Sequence, residues 1–161
     1  MSSKVKMVKP ENTLKKKVGS GGFNETDLIK AQQGIDKNDI DFRPLAQDLL
    51  TELDAVLKAI EENKIPVEKQ FDGIMYPMMQ LKSQGGLFKY PLVSHISHKA
   101  LDFLENIAGP DSDVMLIVVA YRNSVQAMIK LQLKEIDSPV GSKLVNELDL
   151  AFARYKKAKG Q

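Results

Sequence analysis

Residues 41–62, DFRPLAQDLLTELDAVLKAIEE, place Phe42, Leu45, Ala46, Leu49, Leu50, Leu53, Val56, Leu57 and Ile60 three and four positions apart. Side chains at that spacing return to one stripe of an α-helix, with acidic and polar residues opposite, so the segment predicts a helix with a single buried face. Pro44 fits because it falls in the first turn, where its missing N–H does little harm.

The same period continues on both sides. Upstream, Asn24 or Thr26 can cap a short helix running to about Gly34. Downstream, Val67, Phe71, Ile74, Met75, Met78 and Leu81 share one side of a helix over 67–86. Pro77 lies inside it and its ring presses on the carbonyl of Gly73, so a kink is expected there, or else two shorter helices meeting around Tyr76. Gly85 and Gly86 are expected to weaken or end the helix. Pro91 opens a helix over 91–108, with Leu92, Val93, Ile96, Ala100, Phe103, Leu104 and Ile107 inward and Gly109-Pro110 as a stop.

Asp111 or Ser112 caps a helix over 113–135 whose first half, Val114-Met-Leu-Ile-Val-Val-Ala, is apolar nearly all round and reads as the most buried. Its β-branched residues allow a strand locally; Val125, Met128, Ile129 and Leu133 at helical spacing decide against it. A last helix follows residues 138–142, with Leu144, Val145, Leu148, Phe152 and Tyr155 inside and Lys156, Lys157 and Lys159 near its end. Short links between long helices imply antiparallel neighbours. The expected fold is all-α: an up-and-down antiparallel four-helix bundle over 41–62, 67–86, 91–108 and 113–135, with additional N- and C-terminal helices.

Length and composition agree with one domain. The chain has 161 residues, 43% of them hydrophobic, and no cysteine for disulfides or thiolate metal sites. No run approaches the roughly 20 apolar residues needed to cross a bilayer, and the first residues lack the apolar centre of a secretory signal, so a cytoplasmic protein is expected. The net charge of +2 is unevenly spread. Residues 1–22 hold Lys4, Lys6, Lys9, Lys15, Lys16 and Lys17 against Glu11, which is +5, and the other 17 basic and 20 acidic residues carry −3. Residues 1–22 read as a flexible basic tail and 23–161 as a single helical domain. Such a tail can attract acidic partners, an anionic membrane or nucleic acid; a solubilising arm is the commoner role, and nucleic-acid binding is not the expected one.

The segment Met79-Gln-Leu-Lys82-Ser83-Gln-Gly85-Gly86-Leu-Phe88 carries a resemblance. It resembles the phosphoacceptor segment of histidine phosphotransfer (HPt) domains, four-helix bundles with a pattern close to His-x-x-Lys-Gly-Ser, then small residues, a Phe and apolar positions of the next helix. Lys82 and Ser83 match the Lys-Gly pair, Gly85 and Gly86 the small residues, and Phe88 the Phe, with Val93 and Ile96 at the following apolar positions. Met79 stands where the pattern puts histidine, and Pro77 just before it is a second departure. A thioether accepts no phosphoryl group, so the resemblance implies docking without transfer: a non-catalytic interaction module of bacterial two-component or chemotaxis-type signalling, whose partner is a response-regulator receiver domain or a histidine kinase.

Spacing gives the region its own meaning. On a helical wheel Met75 and Met78 face the core, while Asp72, Tyr76, Met79 and Ser83 fall on one partly exposed flank. Methionine repacks easily, and small residues let a partner approach closely. The candidate partner-binding residues are therefore Tyr76, Met79, Lys82, Ser83 and Gly86. Two plainer readings stand beside this one: Tyr76 and Met79 pack under the tail or the last helix, and Lys82 is a solvated lysine. A different class of function is a structural protein that forms a homodimer through this Met-rich face.

Little else points to chemistry. His95 and His98 sit three apart, and Asp102 follows His98 by four, close enough to meet on a helix surface; spacing supplies no further ligand for a metal. Phosphotransfer through His95 or His98 is the sharper alternative, although neither has the Lys and small residue that follow the family's histidine. No nucleotide-binding glycine pattern, cysteine nucleophile or serine elbow is present. No catalytic residue, metal or cofactor is expected.

Overall fold

The computed structural model describes residues 25–36 and 40–160. The tail expected over 1–22, and the boundary after it, lie outside the described residues. Among the described residues all regular structure is helical: α1 (Glu25–Asp36), α2 (Phe42–Glu61), α3 (Val67–Leu87), α4 (Pro91–Glu105), α5 (Ser112–Lys130) and α6 (Pro139–Lys159). The chain divides into two units, Met1–Asp39 and Ile40–Gln161. The first holds α1, which runs past Gly34 to Asp36 and leaves Leu28 and Ile29 exposed. The second holds α2 to α6.

In the second unit α2 packs on α3 and α5, α3 most extensively on α4, α4 on α5, and α6 on α5 and more lightly on α4. Cross-helix bonds fix the directions. Gln126 bonds to Gln47 and Arg122 to Asp54, so α2 and α5 run antiparallel. Asp111, before the start of α5, meets Tyr155 and Lys159 near the end of α6, so these two are antiparallel as well. Lys99 pairs with Asp149, and Phe103 stacks on Phe152 at 4.5 Å, so α4 and α6 run parallel. The core threads through all five helices, with Phe42, Leu50, Leu53, Ile74, Met78, Leu81, Leu92, Ile96, Leu104, Tyr121 and Met128 essentially sealed from solvent.

Helix starts follow the sequence closely at α2 and α5, while α6 begins at Pro139, inside the 138–142 stretch it was expected to follow. The Asp41 carboxylate accepts the Arg43 N–H at 3.0 Å, Asp111 accepts that of Val114 at 2.9 Å, and Ser138 accepts that of Gly141 at 3.1 Å. Helix ends differ from expectation in three places. α3 is one helix from Val67 to Leu87, passing through Pro77 and through Gly85-Gly86. Pro77 is buried there, and Gly73, whose carbonyl loses its partner, packs so closely on α2 that an added Cβ would lie 3.2 Å from Val56 Cγ1. α5 stops at Lys130, short of 135, because Gln132 turns the chain with φ +51° and the Leu133 N–H closes on the Met128 carbonyl. α4 stops at Glu105, and Ile107 reaches the core from the following loop.

The first half of α5 is not buried all round. Val114, Ile117, Val118 and Tyr121 enter the core, while Leu116 is 68% exposed and Val119 41%. With Leu57, Ile60 and Met115 they line a groove of about 790 Å³ between α2 and α5.

Candidate functional site

The proposed docking residues lie on α3, and the helical period sorts them cleanly. Ile74, Pro77, Met78, Leu81 and Gly85 are buried. Tyr76 is 53% exposed and Met79 47%, and Lys82, Ser83 and Gly86 are exposed with them. The spacing of Asp72, Tyr76, Met79, Ser83 and Gly86 (four, three, four, three) makes a single seam opposite the buried face, where the sequence placed it on a flank. Lys82 lies at the edge of that seam. The alternative in which Tyr76 and Met79 pack under the last helix is not what is seen, because α6 packs on α4 and α5.

This face is short of charge. From Gly73 to Phe88 the sequence contains one ionisable side chain other than Tyr76, that of Lys82. A solvated helix face ordinarily carries acidic and basic residues, as α2 does with Asp48, Glu52, Lys58 and Glu61. Between Gly73 and Phe88 the polar side chains other than Lys82 are neutral, and Gln84 donates to Gln80 at 3.2 Å. Tyr76, Met79 and Leu87 are exposed along this face, where Asp72 and Lys82 are the charged neighbours.

The two glycines of the motif have different surroundings. A Cβ at Gly85 would lie 3.1 Å from the Ser94 amide nitrogen and 3.3 Å from the Tyr90 carbonyl oxygen; at Gly86 it would meet nothing closer than Ser94 Oγ at 3.6 Å. Gly85 thus lets α3 and α4 close on each other, and Gly86, exposed beside it, has room for a small side chain. Phe88 is held from behind, its ring stacked on Phe42 at 5.8 Å, while Tyr90 lies 5.1 Å from Phe42 and beneath Lys134. This aromatic cluster fixes the end of α3 and the turn into α4.

The histidines lie on α4, His98 exposed and His95 half-buried. Asp102 accepts a hydrogen bond from the Asn106 amide, in place of the His98 contact that spacing allowed. Among the described residues no group of three or more His, Cys, Asp or Glu side chains is placed to hold a metal ion, and no helix is long and apolar enough to cross a membrane.

Two polar clusters serve the fold. Ser97 Oγ and Tyr121 Oη are 2.7 Å apart in the core between α4 and α5. Burial pushes the Tyr121 hydroxyl far above its ordinary pKa, and the bond to Ser97 offsets only part of this, so the phenol stays neutral. At the other cluster burial raises the Asp111 carboxyl, but the Val114 N–H, Lys159 and Tyr155 all donate to it, and together they hold its pKa below the ordinary value. Neither cluster was visible in the sequence, since its members are distant in the chain; the all-round apolar run 114–120 was the one signal for the groove beside Leu116. No protein-family model matches the chain, and no curated protein or solved structure matches it.

Proposed function

We propose that the chain is a non-catalytic, HPt-like protein-interaction module of bacterial two-component or chemotaxis-type signalling, docking a receiver domain or a histidine kinase through the outward face of α3. The observation that carries the docking part is the charge-poor seam of Tyr76, Met79, Ser83 and Gly86, with Lys82 at its edge. An exposed thioether and phenol among small residues suit an adaptable contact with another protein surface. The signalling part is supported by the resemblance of residues 79–96 and by an arrangement in which α2, α3, α4 and α5 each pack on two others of the four, the neighbour pattern of an up-and-down four-helix bundle.

Met79 occupies the acceptor position, so the module binds without taking a phosphoryl group there. Binding without transfer makes it an adaptor or regulator that occupies its partner. The experiment is incubation of the full chain with a panel of purified receiver domains and histidine kinases, with and without radiolabelled phosphate. Binding that carries no label onto the chain supports the reading. Label on the chain that disappears in His95→Gln or His98→Gln assigns phosphotransfer to that histidine and overturns the non-catalytic claim.

A further inference from the structure

We propose that the outward face of α3 also pairs with itself, two copies of the chain joining through antiparallel α3 helices about a two-fold axis beside Leu81. The inference uses the same face as the docking reading and names a second occupant for it.

The first argument is size. On the seam the bulky Tyr76 and Met79 precede Leu81 and the small Ser83 and Gly86 follow it, with the exposed Leu87 beside Gly86. Their positions are balanced: Tyr76 and Gly86 stand five residues either side of Leu81, and Met79 and Ser83 stand two. Reversing one helix about that point lays Tyr76 over the second copy's Gly86 and Met79 over its Ser83. The two-fold repeats each contact, so four projections meet four depressions. Tyr76 then enters a hole bounded by the second copy's Ser83, Gly86 and Leu87. A parallel pairing would set Tyr76 against Tyr76 and Gly86 against Gly86, crowding one end and leaving the other empty.

The second argument is charge. Before Leu81 the exposed charged residues of α3 are Glu68, Lys69 and Asp72, with a net negative balance. After it come Lys82 and, just past the helix, Lys89. Reversal places the acidic half of one copy along the half of the other that carries Lys82 and no acidic residue up to the helix end. The two Lys82 side chains fall at the edge of the pairing, where both reach solvent. Because partner and second copy claim one face, self-pairing and receiver docking exclude each other, and the dimer is a reserve of undocked chain.

The test uses the full chain. Sedimentation of the wild type over a hundredfold range of concentration is expected to show a monomer passing into a dimer. Gly86→Leu, whose new Cβ would meet Ser94 at an ordinary contact distance of 3.6 Å, is expected to weaken dimerisation at least tenfold with its melting temperature held. The sequence contains no cysteine, so orientation follows from introduced ones. Tyr76→Cys mixed with Gly86→Cys is expected to form a disulfide-linked dimer on mild oxidation. Tyr76→Cys alone is not, because the two thiols would lie about 15 Å apart along the helices. Cross-linking of Tyr76→Cys to itself, or Gly86→Leu dimerising like the wild type, overturns the pairing. A wild type that stays monomeric throughout overturns it too and leaves receiver docking standing, since that reading fails only if no receiver domain or kinase binds the chain.

Discussion

Gly85 of α3 lies against the backbone of α4, so close that a Cβ on it would stand 3.1 Å from the Ser94 amide nitrogen, whereas one on the exposed Gly86 would come no nearer than 3.6 Å to Ser94 Oγ. Two adjacent glycines of one motif therefore have opposite sensitivities. Gly85→Ala should destabilise the fold by about 1–3 kcal/mol, because neither backbone atom in its way can move without parting the helices. Gly86→Ala should be neutral or should gain up to about 1 kcal/mol from helix propensity. Thermal melts of the two variants check this.

Ser97 and Tyr121 satisfy each other in the core, and each loses its partner when the other is truncated. Tyr121→Phe and Ser97→Ala should each cost about 1–3 kcal/mol, the range for leaving a buried polar group unpaired. The double variant should cost less than the sum of the two, since it leaves neither hydroxyl behind. A denaturant-unfolding cycle over the four proteins measures that coupling.

The Asp111 carboxylate ties the start of α5 to Tyr155 and Lys159 near the end of α6. Its pKa is lowered by folding, so the native state prefers the ionised form. The stabilisation is present above the unfolded carboxylate's pKa, near 4 by the usual reference values, and is lost as pH falls through the lower folded pKa. Asp111→Asn keeps an acceptor for the Val114 N–H, while removing the charge and the second oxygen to which Tyr155 and Lys159 donate. The variant should melt below the wild type at pH 7, and the gap should close as both are taken to about pH 2; a gap that is independent of pH would contradict the assignment.

Neighbouring residues of α5 face opposite ways. Leu116 is 68% exposed and Ile117 is 8%. Leu116→Gln should change stability by no more than about 0.5 kcal/mol, and Ile117→Ala should cost about 2–5 kcal/mol. Urea unfolding of the pair tests which side of this helix belongs to the core.

The helices were legible where one face is apolar and the other polar. α2 is the clearest case, with its stripe from Phe42 to Ile60 and its cap at Asp41. Periodicity failed where chemistry does not distinguish the faces: in 114–120 every position is apolar, so the exposure of Leu116 and Val119 carries no mark. It also overran helix ends, because Leu133 and Ile107 reach the core from loops at positions that mimic one more helical turn. Gly85 and Gly86 look alike in sequence, and only the close backbone of Ser94 and Tyr90 separates the buried glycine from its exposed neighbour. The seam of Tyr76, Met79 and Ser83 was readable from spacing, while its lack of neighbouring charge gained meaning once α3 proved continuous through Pro77. Ser97–Tyr121 and Asp111–Tyr155 join residues 24 and 44 positions apart, which local patterns cannot relate.

Met79 stands at the centre of the proposed docking face, and its side chain reaches solvent without supporting the core. The most direct measurement is calorimetric titration of the receiver domain or kinase that binds the wild type into the Met79→Asp chain, with melting curves of both chains alongside. Binding is expected to be at least tenfold weaker at an unchanged melting temperature, because a charge replaces the thioether at the centre of the contact. Equal affinity for the wild type and Met79→Asp would place the binding surface elsewhere and contradict the account.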